Sequence, residues 1–295
     1  MKYLLDISDL NQNDFFEILD QADELNMQNE AILSQKSIGL IFEKYSTRTR
    51  LSFQVGIRQL QGNPIDIKFE ELNLQRIETF NDTFKIFGCY LDALVFRTDN
   101  HEKLQKALEC FNKPIINALS DKSHPCQIIS DIFTLREHFK KIDNISICWL
   151  GDLNNVLFSL VEAMSFLPKT SLNIFTDENL FNNSKFKKIN KASNINFFFD
   201  LEQKIIKETD CIMTDVYSSM NDEVKLDKEK ILKRFQINDK IMDYTKNECV
   251  FMHCLPAKID SEVTQSVLSS SKSIVLHQAK NRLVAQKGIL KWLEI

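Results

Sequence analysis

A chain of 295 residues, 43% hydrophobic and 26% charged, has the composition of a folded globular protein and is long enough for one large or two medium domains. Lys and Arg number 37 against 41 Asp and Glu, a formal net charge of −4 that excludes a global basic footprint for nucleic acid or an anionic membrane. No apolar run approaches the ~20 residues of a membrane helix, and the early acids Asp6, Asp9 and Asp14 are unlike a targeting peptide, so a cytoplasmic protein is expected.

In chain order, Asn11 reads as a helix N-cap with Asp14 three residues on, and Phe15, Ile18, Leu19 and Ala22 follow at helical spacing. Ser37–Phe42 predicts a short apolar strand, followed by a polar loop and a helix from about Leu51. A helix through Asp82–Tyr90 leads to a second strand at Leu91–Phe96, and Pro114–Asn117 predicts a third. A long helix runs from Pro125 to about Phe139, with Ile128, Ile129, Ile132, Phe133 and Leu135 as its apolar face. A second series starts at Asn144. Strands are predicted at Ile145–Leu150, Ser171–Phe175, Asn196–Phe199, Cys211–Thr214, Cys249–His253 and Ser273–Leu276, with helices between most of them. Continuous apolar strands alternating with helices imply parallel sheets covered on both faces. The expected fold class is α/β, as two doubly wound parallel-sheet domains joined by long helices. The boundary is expected at 139/140, the second domain spans 140–279, and a C-terminal helix over 280–295 packs back on the first.

The seven cysteines (Cys89, Cys110, Cys126, Cys148, Cys211, Cys249, Cys254) are odd in number and lack a CxxC pair, so they read as reduced thiols rather than a disulfide frame or zinc site. Only six residues are glycine, far below the usual ~7%, so each remaining one is a candidate for a backbone-specific role. The Lys185–Lys191 cluster reads as solvated surface.

Ligands of such sheets bind beyond the carboxyl ends of the strands, where the chemically informative residues fall. Ser46-Thr47-Arg48-Thr49-Arg50 lies between a strand and a helix: hydroxyls, first-turn N–H groups and guanidinium forks suit an anion, while the plainer reading is a polar helix cap. Arg97 follows a strand, as a ligand contact or a surface ion pair. His124-Pro125-Cys126-Gln127 opens the long helix, with Pro125 in the favoured first turn. Gly151-Asp152-Leu153-Asn154-Asn155 resembles a dinucleotide turn without the full GxGxxG, and Asn155 could hydrogen-bond a small polar ligand. Asp215 stands at a strand end, suited to an ammonium group. His253-Cys254-Leu255-Pro256-Ala257 ends another strand; Cys beside His suggests a nucleophile or a metal ligand, but no second ligand pair stands at metal spacing. Asn281-Arg282 precedes the C-terminal helix.

Taken together, STRTR, Arg97, HPCQ, GDLNN, DVYSSM, HCLPA and QAKNRL resemble the carbamoyltransferase family, on its ornithine branch, over essentially the whole chain. Glu78–Thr83 also resembles the family's Glu-Ser-x-x-Asp-Thr helix start. The resemblance implies transfer of a carbamoyl group from carbamoyl phosphate to the δ-amine of L-ornithine, giving citrulline and phosphate, in arginine biosynthesis or the reverse catabolic direction. It implies no metal or cofactor. The first domain would bind carbamoyl phosphate, with Ser46, Thr47, Arg48 and Thr49 on the phosphate, Arg97, His124 and Gln127 on the carbamoyl group, and Arg282 reaching in. Asn155, Asp215, Ser219 and Met220 would hold the amino and carboxylate groups of ornithine, with Cys254 and Leu255 near its δ-amine. Arg97, His124, Cys254 and Arg282 are the implied catalytic group, Cys254 as a polar contact because no base is arranged to activate it. The resemblance further implies a homotrimer with shared active sites, into which Asn73 enters from the neighbouring subunit. Three departures bear on loop closure: Asn221 where the family has Gly, Tyr217 where it has Trp, and no Gly over Asn73–Ile77. The competing readings are a carbamoyltransferase for putrescine or an N-acylated ornithine, and a silent homologue that binds without turnover.

Overall fold

A computed structural model of the chain describes residues 1–28, 30–72, 78–189, 192–217 and 225–295. The chain divides into two compact units, Met1–Thr134 with Lys280–Ile295, and Leu135–Ala279.

In the first unit, β1 (Ser37–Phe42), β2 (Asn63–Ile67), β3 (Ala93–Arg97) and β4 (Ile115–Leu119) form a parallel sheet in the order β2-β1-β3-β4. Ala93, Leu94, Val95 and Phe96 are all fully buried, as a central strand covered on both faces requires. Phe96 and Leu94 pack with Ile41, Phe84, Leu104, Phe111 and Ile115. The helices are α1 (Gln12–Met27), α2 (Arg48–Gln59), α3 (Phe80–Tyr90), α4 (His101–Phe111) and α5 (Pro125–Phe139), which begins in this unit. Asn11 and Asp14 form the reciprocal cap that their spacing predicts. Strand β2 escapes the sequence reading: Pro64 and the outward Asp66 interrupt its pattern, as an edge strand tolerates.

In the second unit, β5 (Ser146–Leu150), β6 (Ser171–Phe175), β7 (Ile195–Phe198), β8 (Cys211–Thr214) and β9 (Val250–His253) form a parallel sheet in the order β7-β6-β5-β8-β9, and α6 (Asn155–Ala163) follows β5. Leu150, Phe175, Ile212 and Phe251 share one buried cluster with Phe235, Ile237 and Tyr217. The strand expected at Ser273–Leu276 is reduced to a single bridge from Ser273 to Phe251. Val275 already opens the C-terminal helix, Val275–Trp292, because Gln278 and the apolar residues that follow repeat at helical spacing.

Both sheets reverse winding direction once, between β1 and β3 and between β5 and β8. The residues after these strands therefore occupy the two positions where open α/β sheets take ligands. The C-terminal helix is tied to the first unit from Lys280 onward. A Cβ on Gly288 would lie 2.5 Å from the Ile18 carbonyl oxygen, so glycine permits the close approach to α1. Lys287 Nζ donates to the Leu25 carbonyl at 2.8 Å, and Trp292 Nε1 to Asp14 at 3.1 Å.

Candidate active site

In the first unit, the start of α2 presents its donors without a side-chain cap of its own, since Thr47 makes no capping bond. Ser46 and Arg48 are half-buried, Thr47 is exposed and Thr49 is buried. Arg97, at the end of β3, donates from Nη1 to Ser46 Oγ at 3.1 Å. Arg282 donates from Nη2 to Thr49 Oγ1 at 2.7 Å and lies 3.1 Å from His124 Nε2 through the same nitrogen. Ser46, Thr49, Arg97, His124 and Arg282 thus converge at the carboxyl ends of β1, β3 and β4, although Arg282 comes from the far end of the chain. Arg50 turns away to an ion pair with Asp66.

Burial, reinforced by the charges of Arg282 and Arg97, holds His124 well below the ordinary imidazole range, so it is neutral. A guanidinium only donates, so His124 Nε2 accepts from Arg282 and the ring proton resides on Nδ1. Gln127, one turn on and 1% exposed, donates from Nε2 to Asp131 Oδ1 at 2.7 Å. Cys126 is inert: burial pushes its thiol up to about 12, and it donates to the Asn117 carbonyl.

A buried polar network that the sequence does not announce shapes the turn carrying His124. Asn117 Nδ2 donates to the Leu5 carbonyl at 2.8 Å and to Ser123 Oγ at 3.1 Å. Ser123 donates to Asp6, Lys122 pairs with Asp6, and His101 bridges Asp6 Oδ2 at 3.3 Å to Ser120 Oγ at 2.9 Å. Burial works to raise the Asp6 carboxyl, but the hydrogen bonds from His101, Lys122 and Ser123 outweigh it and hold the group well below the usual carboxylate range. Nothing local flags these residues, because Leu5 and Asp6 stand 112 to 118 positions from Asn117, Lys122 and Ser123.

In the second unit, Gly151 ends β5 with φ +126°, and a Cβ there would lie 2.5 Å from the Tyr217 ring. Asn154 caps α6, accepting from Val156 and Leu157 N–H at 3.0 Å, while its Nδ2 donates to Asp215 Oδ2 at 2.7 Å. Cys254 Sγ donates to Asp215 Oδ1 at 3.1 Å. Asp215, 8% exposed, is thus fixed by the ends of β5 and β9. Asn155 opens α6 beside them, half-buried, and Leu255 is half-buried with φ +56°. Tyr217 fills the space over Gly151. Its buried hydroxyl has no hydrogen-bond partner among the described residues, and burial first, then the Glu262 and Asp152 charges, pushes its pKa up. Ser219, Met220, Asn221 and Asn73 lie outside the described residues.

Asp215, His253 and Cys254 bring an oxygen, a nitrogen and a sulfur within 4.8 Å of one another. Both imidazole nitrogens are already engaged: Nδ1 accepts from Leu255 N–H at 2.9 Å, which leaves Nε2–H to the buried Glu262 Oε1 at 3.2 Å. A metal would have to displace one of those bonds. His253 instead braces the turn that carries Cys254 and Leu255, and Glu262, fully buried, is a further residue missing from the sequence reading.

Residues 2–137 match the family described as aspartate/ornithine carbamoyltransferase, carbamoyl-P binding domain, and residues 143–293 match its Asp/Orn binding domain. The chain is 37% identical to an ornithine carbamoyltransferase of Bradyrhizobium diazoefficiens, over 99% of this chain and 96% of that one. It is 38% identical to one of Ruthia magnifica, over 99% of each. Among solved structures it resembles the ornithine carbamoyltransferase of Pyrococcus furiosus, with a TM-score of 0.86, 33% identity and coverage of 98% and 96% of the two chains. The Thermus thermophilus enzyme superposes with a TM-score of 0.90 at 28% identity, over 100% and 99%.

Proposed function

The chain belongs to the aspartate/ornithine carbamoyltransferase family, as an enzyme of its ornithine branch, and from that premise we propose that it transfers the carbamoyl group of carbamoyl phosphate directly to the δ-amine of L-ornithine. The observation that carries the reading is the placement of Arg97 on the Ser46 hydroxyl and of Arg282 on the Thr49 hydroxyl, with the neutral imidazole of His124 against Arg282. In this reading Ser46, Thr47, Arg48 and Thr49 take the phosphate, with first-turn N–H groups of α2 adding donors. Arg97, Arg282 and His124 Nδ1–H face the carbamoyl oxygen, where negative charge grows as the amine attacks. Gln127 takes the carbamoyl amide.

Asp215, held by Asn154 and Cys254, receives the α-ammonium of ornithine, with Asn155, Ser219 and Met220 completing the amino-acid contacts and Cys254 and Leu255 beside the δ-amine. The neutral amine adds to the carbonyl carbon, the tetrahedral oxyanion collapses, the C–O bond to phosphate breaks, and the proton shed by the attacking nitrogen leaves with the phosphate. Alignment and preorganised positive charge supply the rate without a covalent intermediate. The same site serves citrulline synthesis and its phosphorolysis. A cytoplasmic homotrimer, with Asn73 entering the neighbouring site, completes the proposal. Among the described residues no helix is long and apolar enough to cross a membrane.

The test supplies carbamoyl phosphate with L-ornithine and, in parallel, putrescine, N-acetylornithine and aspartate, following citrulline or its analogue together with phosphate, while light scattering gives the subunit number. Citrulline formed only from ornithine, with equal phosphate, is expected. Turnover with another acceptor overturns the reading of Asp215, and a folded protein silent with all four overturns catalysis.

A further inference from the structure

Gln127 and Asp131 stand one helical turn apart on α5, each 1% exposed, and Gln127 Nε2 donates to Asp131 Oδ1 at 2.7 Å. A primary amide can be turned either way with almost no change in shape, presenting two donors or an acceptor to whatever it faces. A carboxylate accepts and does not donate, so Asp131 removes that freedom. The amide nitrogen must face Asp131, and Oε1 faces elsewhere. That oxygen is buried and has no hydrogen-bond partner among the described residues, an arrangement that costs stability until a donor arrives.

We infer that Asp131 is the specificity-setting positioning residue of the carbamoyl site: it pins the Gln127 amide so that Oε1 awaits an N–H donor. This rests on the carbamoyl-phosphate reading of the first unit and adds to it the discrimination between acyl phosphates. Carbamoyl phosphate offers an NH2 group where acetyl phosphate offers a methyl of nearly the same size. With Oε1 pinned, the carbamoyl N–H completes the pair, while the methyl leaves a buried acceptor unsatisfied. A polar site built this way rejects the analogue far more strongly than shape alone allows. An unpinned amide turns its own N–H groups toward the ligand as readily, and the selection weakens. Asp131 touches no substrate in this scheme and acts only through Gln127.

The experiment measures, in the full-length enzyme, the KM of carbamoyl phosphate and the competitive inhibition constants of acetyl phosphate and inorganic phosphate. Wild type, Asp131→Asn, Gln127→Leu and the double variant form a cycle. Wild type is expected to prefer the carbamoyl compound on the order of ten- to a hundredfold. Asp131→Asn lowers that preference at least about fivefold, and inorganic phosphate inhibits as before because its contacts lie at the start of α2. In the Gln127→Leu background Asp131→Asn has no further effect on the preference. Should Asp131→Asn not fold, Asp131→Ser takes its place. A preference unchanged by the Asp131 substitution, or losses that simply add in the double variant, overturns the role of Asp131 and leaves the site reading intact. A wild-type enzyme that shows no preference, and loses none in Gln127→Leu, overturns the carbamoyl reading itself.

Discussion

Arg282 Nη2 lies 3.1 Å from His124 Nε2 across 158 residues of sequence, and that contact fixes the tautomer of the imidazole and adds to burial in keeping it neutral. Burial and the two guanidinium groups keep His124 neutral in the native state, whereas the unfolded chain protonates it below about pH 6.5. The native pKa lies below the unfolded one, so stability is lost as pH falls through and below 6.5, at up to about 1.4 kcal/mol per pH unit from this group. His124→Gln should flatten that part of the curve. Denaturant midpoints of wild type and variant at pH 7.5, 6.5 and 5.5 check this, and parallel curves contradict it.

Arg282 also measures how far the C-terminal helix carries function. Arg282→Ala removes the donor to Thr49 and His124 at once and is expected to lower kcat about 10²- to 10³-fold, as loss of a preorganised oxyanion donor does. Arg282→Lys should recover little, since a point charge cannot span both partners. Gly288→Ala should mimic part of this from six residues away by forcing the helix off the Ile18 carbonyl, raising the KM of carbamoyl phosphate with a lower melting temperature. Steady-state kinetics on the three variants separate these outcomes.

The strands were legible because β3, β4, β5 and β9 are short runs of apolar residues, and strand ends in a parallel sheet are where ligands gather. Local motifs then pointed to Ser46–Thr49, His124, Gln127, Asp215 and Cys254. What stayed hidden has one physical cause. Asp6, His101 and Asn117 matter through contacts between distant stretches of chain, Asp6 with His101, Lys122 and Ser123 and Asn117 with Leu5, and no period records that. Sequence singled out Asn155 and passed over Asn154, whose Oδ1 caps the helix and whose Nδ2 is thereby turned onto Asp215. Glu262 and Asp131 reveal themselves only through the side chains they orient.

The Asp6 network predicts a structural effect with a functional consequence. Asp6→Asn leaves His101 and the partly exposed Lys122 facing a neutral group, and a loss of about 2 kcal/mol is expected, in line with losing hydrogen bonds to a charged group. Because the network holds the turn of Ser120–His124, carbamoyl-phosphate affinity should fall with it, while ornithine affinity measured by direct titration should not. Calorimetric unfolding and titration with each substrate report the two effects separately.

In the second unit, Asp215→Ala should raise the KM of ornithine about 30- to 100-fold, the cost of leaving the α-ammonium unpaired at a buried site, with the KM of carbamoyl phosphate changed less than threefold. Asp215→Asn is the finer test. Asn154 Nδ2 and Cys254 Sγ both donate to this carboxylate, and an asparagine can accept only on its single oxygen. The variant should therefore disorder Asn154 or Cys254 as well as lose charge, and should be no better than alanine. Equal losses for both substrates in either variant would contradict the assignment of ornithine to this unit.

Tyr217 offers a prediction of opposite sign. Its hydroxyl is buried over Gly151 without a partner among the described residues, while its ring makes the contact that Gly151 accommodates. Phenylalanine keeps the ring and removes the unsatisfied polar group, so Tyr217→Phe should stabilise the enzyme by about 1 kcal/mol. Gly151→Ala should destabilise it by about 2 kcal/mol or more, because φ +126° is strained for any L side chain and the new Cβ meets the ring. The two substitutions together should add: phenylalanine retains the ring and its clash, so the alanine penalty persists in full in the double variant. A thermal-shift series over the four proteins tests this, and a destabilised Tyr217→Phe contradicts it.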